Sequence, residues 1–115
     1  MNELSGIVIE GDRVARTLGY PTANLQVTSE DPEQGIYAGW VLLDDGEYAG
    51  VAIVGVDDKT EIHILDWEGD LYGKQITMSI VDKIRDIEDY AERESLLRQI
   101  ARDITAAKEM LDLHV

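Results

Sequence analysis

Two largely apolar runs, joined by Asp44-Asp45-Gly46, restrict this chain more than any other feature it carries. Gly35–Leu43 is rich in aromatic and branched residues, as a strand is, and residues 47–56 return as the next strand. An Asp-Gly turn between them tolerates the positive φ that tight hairpins need. Further strands read on both sides. Residues 5–10 alternate and stop at Gly11. Residues 60–67 and 74–84 follow short turns at 57–59 and 68–70. Several short strands with tight turns predict an antiparallel barrel or sandwich. After Asp86 the period changes. Leu97, Ile100, Ile104, Ala107 and Leu111 recur at spacings of three and four, which predicts a helix over 92–113 packed on the strands by that stripe.

The chain has 115 residues, enough for one domain spanning 1–115, and no internal repeat or linker divides it. Hydrophobic residues make up 44%, enough to build a core despite a net charge of −14. With no cysteine there are no disulfides, thiolate nucleophiles or cysteine-based zinc sites, which fits a cytoplasmic protein. No apolar run has the length of a membrane span. The strong acidity argues against nucleic acid or an anionic membrane as partner. Residues 1–58 hold eleven acids against two bases, Arg13 and Arg16. Both bases fall in the glycine-bounded stretch Gly11 to Gly19. Such a loop suits an anion; two solvated arginines sharing a loop is an equal reading.

Directly after that loop comes Pro21-Thr22-Ala23-Asn24. If this segment is extended, Thr22 and Asn24 point to one face. A hydroxyl and a carboxamide side by side suit a hard cation such as Mg²⁺. By itself the segment is also an ordinary turn. Glu61 is a second candidate. It opens Glu61-Ile62-His63-Ile64-Leu65-Asp66-Trp67, where alternation sets Glu61, His63, Leu65 and Trp67 on one face and Ile62 and Ile64 on the other. Partial burial would raise the pKa of Glu61 and suit it to general-base work. An exposed strand-end glutamate is the commoner outcome for such a segment. Gly50 to Gly55 has the glycine spacing of a P-loop, but Val56 stands where lysine is required, and the stretch reads as strand. His63 and His114 are the only histidines, so no pair has metal-binding spacing.

Taken in order, these segments resemble the riboflavin kinase family over nearly the whole chain. Ala15-Arg16-Thr17-Leu18-Gly19 leading into Pro21-Thr22-Ala23-Asn24-Leu25 is similar to its opening motif. Gly35-Ile36-Tyr37-Ala38, Gly50-Val51-Ala52, Glu61 to Trp67, Asp70-Leu71-Tyr72-Gly73, Ile84-Arg85 and Leu97 to Asp103 resemble its later ones. The resemblance implies a mainly β fold: a six-stranded antiparallel Greek-key barrel with a C-terminal α-helix. It implies a phosphotransferase that moves the γ-phosphoryl group of ATP to riboflavin, giving FMN and ADP. Thr22 and Asn24 would bind Mg²⁺ or another divalent metal, and Glu61 would act as catalytic base. Gly11, Arg13, Arg16, Gly19, Pro21 and Thr22 would hold the nucleotide. Arg85, Trp67, Tyr72 and Tyr90 would border the flavin. A stand-alone kinase and an excised domain of a larger enzyme both fit, and a monomer is expected. The chain departs from the family's pattern at a shorter turn before Glu61, at Ala15, and at Ile87 and Asp89. The alternative on the same barrel is a catalytically silent flavin- or nucleotide-binding module.

Overall fold

A computed structural model describes residues 3–9, 22–29, 32–56, 59–67, 69–88 and 93–112. Six antiparallel strands close into a barrel: β1 (Glu3–Ile9), β2 (Ala23–Val27), β3 (Gly35–Leu43), β4 (Gly46–Val56), β5 (Lys59–Ile64) and β6 (Gln75–Arg85). Their order around the barrel is β1-β2-β5-β4-β3-β6. Strands β3, β4 and β5 follow one another as a meander, and β2 returns beside β5, which is a Greek-key arrangement. Closure leaves no free sheet edge. One helix, α1 (Arg93–Asp112), follows β6 and packs on the outside.

The barrel is filled by one face of every strand. Leu4, Leu25, Val41, Ile62, Met78 and their neighbours form the interior cluster, and each of these five is buried. The opposite faces of β3, β4 and β6 are covered in part. Ile36, Ala38 and Val51 form a second cluster under Ala107 and Leu111 of α1. This explains why β3 reads as a nearly continuous apolar run: it is covered on both sides.

The expected β3–β4 hairpin has a two-residue loop, Asp44-Asp45, with Leu43 opposite Gly46. Gly46 takes the positive φ, 149°, as the first residue of β4. The predicted P-loop mimic is strand, inside β4. The sixth strand, β2, is only five residues long and lies next to a turn-rich stretch, so the residues alone show five strands where there are six.

Two expectations are corrected. Strand β5 ends at Ile64, not Trp67. Leu65 and Asp66 form a turn in which Asp66 adopts φ 56°, so alternation fails beyond Ile64. Leu65 is buried and Trp67 packs against the interior cluster, not beside Glu61. The helix stripe also divides. Ala107 and Leu111 are buried against the barrel, whereas Leu97, Ile100 and Ile104 remain half exposed and outside both clusters.

Candidate active site

The site begins with which face each strand turns outward. On β2, Leu25 belongs to the interior cluster with Ala23 and Val27 packed against it, so Asn24 and Gln26 face out. On β5, Ile62 and Ile64 fill the interior and Thr60 is buried with them, so Glu61 and His63 face out. The antiparallel register then sets Asn24 directly opposite Glu61. Residues 24 and 61 are far apart in sequence and meet only because β2 pairs with β5. Thr22 immediately precedes β2 and is half buried.

Register extends this pair into a row across the outer surface. Ile9 of β1 lies opposite Asn24, and Ile53 of β4 lies opposite Glu61. Beyond Ile53 come Ile36 of β3 and Arg85 of β6. The polar pair is thus flanked by an isoleucine on each side. Ile53 packs against the cluster beneath α1, and Ile9 is 40% exposed. Just past this row, Gly55 takes φ 101° where the β4–β5 register slips between Val54 and Val56. That bulge leads into the connection before β5.

Asn24 is only 9% exposed, and its Oδ1 is buried without a hydrogen-bond partner among the described residues. A buried acceptor left unpaired costs about 1–3 kcal/mol. Such an orphan points to a donor or a cation supplied from outside the described residues. A carboxamide oxygen is a suitable ligand for a hard divalent cation, so the residues present fit one. Glu61 is half buried beside it.

The remaining candidates are placed as follows. Tyr72 is 62% exposed. The N–H of Gly73 donates to the Val8 carbonyl at 2.8 Å, which sets Tyr72 at the Ile9 end of the row. Trp67 meets Tyr48 edge to face, with ring centroids 6.5 Å apart. Arg85 lies at the far end of the row, and its guanidinium is engaged: Nε donates to Asp103 Oδ1 and NH2 to Oδ2, both at 2.9 Å, and NH1 donates to the Asp86 carbonyl. Gly11, Arg13, Arg16, Gly19, Pro21 and Tyr90 lie outside the described residues.

Sequence alone did not single out Ile9, Ile53 or Asp103. The first two emerge from register. Asp103 had a signal: it stands three residues after Ile100 and four before Ala107, so it is a carboxylate on the buried stripe of α1. An acid in that position calls for a cation opposite.

Residues 2–111 match the flavokinase family, described as riboflavin kinase. The chain belongs to the riboflavin kinase family. Among curated relatives, it is 38% identical to the bifunctional riboflavin kinase/FMN adenylyltransferase of Escherichia coli, over 96% of this chain and 38% of that protein. It is 32% identical to an RNA-binding riboflavin kinase of Bacillus subtilis, over 98% of this chain and 53% of that one. The chain therefore spans well under two thirds of these relatives. Among solved structures, a Streptococcus pneumoniae protein described as a macrolide-efflux protein superposes with a TM-score of 0.86 at 30% identity, covering 92% of this chain and 38% of that chain. The riboflavin kinase of Trypanosoma brucei shares the fold with a TM-score of 0.70 at 21% identity, covering 96% and 79%.

Proposed function

We propose that this chain phosphorylates riboflavin, taking the γ-phosphoryl group of a nucleoside triphosphate, with ATP as the donor, and releasing FMN. The observation that carries this reading is the Asn24–Glu61 pair: a base candidate directly opposite a buried, unpartnered carboxamide oxygen, in a chain of the riboflavin kinase family. Phosphoryl transfer asks the protein mainly for positioning and charge neutralisation. Glu61 accepts the proton of the ribityl 5′-hydroxyl. The hydroxyl oxygen attacks the γ-phosphorus, the bond to the β,γ-bridging oxygen breaks, and the nucleoside diphosphate departs. Asn24 Oδ1 and the Thr22 hydroxyl would hold a divalent cation, Mg²⁺ first among them. When bound, that cation neutralises charge on the phosphates.

Gly11, Gly19 and Pro21, with Arg13 and Arg16, are proposed to enclose the phosphates. The isoalloxazine ring needs flat apolar walls. The half-exposed stripe of Leu97 and Ile100 and the ring of exposed Tyr72 are suited to that task. Tyr90 is retained as a further flavin contact, whereas Trp67 already packs against Tyr48 and the interior cluster. No described helix is long and apolar enough to cross a membrane. We place the enzyme in the cytoplasm as a monomer. Its net charge of −14 argues against nucleic acid as a ligand of this chain, whatever the Bacillus subtilis relative binds.

The test is direct. Purified protein is incubated with riboflavin, Mg²⁺ and ATP or CTP, and FMN is sought by chromatography. FMN formation supports the reading. Riboflavin binding without FMN under any nucleotide or metal would identify a silent flavin-binding module instead.

A further inference from the structure

Helix α1 is unequally attached to the barrel. Its C-terminal half is seated: Ala107 and Leu111 are buried, and Met110 packs on the same cluster. Among the described side chains of its N-terminal half none is buried, and Leu97 and Ile100 stay half exposed. Asp103 sits at the boundary between the two halves and is 6% exposed. It accepts both arms of the Arg85 fork at 2.9 Å, and a third hydrogen bond from Gln99 Nε2 at 3.0 Å. Arg85 in turn is the last residue of β6 and the end of the row that contains Glu61.

A bidentate arginine–carboxylate pair fixes orientation as well as distance. An apolar contact at this position would hold the helix against the barrel but let it slide or turn. The fork sets both the rotation and the axial position of α1 at the point where its packed half ends. Lys83 and Asp86, in contact at 2.6 Å, and Ile87, packed on the outer cluster, secure the start of the connection from β6 to α1. Replacing a buried ion pair by apolar residues is often neutral or stabilising. Stability is therefore a poor reason for this pair; geometry is a better one.

We propose that Arg85 and Asp103 are positioning residues: their ion pair aims the N-terminal half of α1, and so sets the affinity for the flavin ring without taking part in phosphoryl transfer. This rests on the kinase reading for its substrate. It also replaces direct flavin contact as the role of Arg85.

The experiment compares Asp103→Asn, Arg85→Lys and the apolar double variant Arg85→Met/Asp103→Leu. Each is measured for melting temperature, for kcat, and for KM toward riboflavin and nucleotide. All three variants should raise riboflavin KM about tenfold, with kcat and nucleotide KM nearly unchanged. The double variant should melt at or above the parent temperature and still show the raised KM. A riboflavin KM that returns to normal in the stable double variant would overturn the proposal, since the pair would then be a stability element only. Equal losses in kcat and nucleotide KM would overturn it too. Hydrogen exchange decides the structural half without substrate: amides of 94–101 should lose protection in Asp103→Asn while the barrel keeps its own. Unchanged protection there defeats the clamp. A parent protein that makes no FMN defeats the kinase reading, and the exchange result still decides the clamp.

Discussion

Asn24 and Glu61 face each other across the β2–β5 ladder on the outer wall of the barrel, between Ile9 and Ile53. Among the described residues the barrel interior is filled by apolar side chains, and this pair stands outside it. The proposed site lies on the outer face, where paired strands hold the two backbones in fixed register. The flanking isoleucines reduce water around the polar pair and strengthen electrostatic effects there.

Replacing Glu61 by glutamine keeps the side chain's size and removes the base. Positioned general bases contribute roughly 10²–10⁴-fold to rate. We expect kcat to fall by that order, with riboflavin affinity and melting temperature close to those of the parent. Steady-state kinetics and flavin fluorescence titration check both halves. Near-normal turnover would reduce Glu61 to a strand residue.

The surface pair Lys83–Asp86 gives a pH signature with a definite sign. The hydrogen bond from Lys83, then its charge, hold the Asp86 carboxyl below its ordinary value of 3.8. The same hydrogen bond chiefly raises Lys83 above 10.5. The Asp86 contribution is present above the unfolded carboxylate's pKa and is lost as pH falls through the lower folded value. The Lys83 contribution is present below the unfolded amine's pKa and is lost as pH rises through the higher folded value. Between these limits it is constant, so stability near neutrality should not vary with pH through this pair, whose position at the surface keeps its contribution small. An NMR titration should place the Asp86 midpoint below 3.8, and Lys83→Met should return it to the ordinary range.

Five of six strands and the helix were legible because each carries its own local signal, a composition, a turn or a period. Strand β2 has the alternation Ala23-Asn24-Leu25-Gln26-Val27, but only five residues of it. Asn24 and Glu61 were each visible as candidates; their opposition was not, because pairing of β2 with β5 is a property of barrel closure. The strand was read as running on to Trp67 because a period of two cannot foresee the positive φ of Asp66. The helix stripe was read as uniformly core because periodicity reports a face, not how much of it the barrel is long enough to cover.

Trp67 and Tyr72 are five residues apart, and their environments predict opposite phenotypes. Trp67 packs on the interior cluster and on Tyr48, so Trp67→Leu should lower stability by about 1–3 kcal/mol. Tyr72 is exposed at the Ile9 end of the row, so Tyr72→Ala should leave the melting temperature unchanged and raise riboflavin KM severalfold. Thermal melts and KM measured on both proteins separate the roles. A flavin defect confined to Trp67→Leu would reverse the assignment.

Asn24 yields the prediction with the least usual sign. Its Oδ1 is buried and unpaired among the described residues, so the free protein gains nothing from that oxygen. Leucine has a similar volume and no group to desolvate. Asn24→Leu should therefore leave the melting temperature of the free protein unchanged, or raise it by the equivalent of about 1 kcal/mol. The same variant should lose the stabilisation that Mg·ADP gives the parent, because a ligand stabilises only the state that binds it. Thr22→Val, which keeps the branched shape and deletes the hydroxyl, should reduce that shift less and regain activity at raised Mg²⁺. A site residue that costs stability when empty and returns it when filled is what a cation ligand on a sheet surface should be. If Asn24 instead served the turn after Pro21, its loss would depress both melts equally and leave the Mg·ADP shift intact. Differential scanning fluorimetry of the three proteins, with and without Mg·ADP, decides between these outcomes.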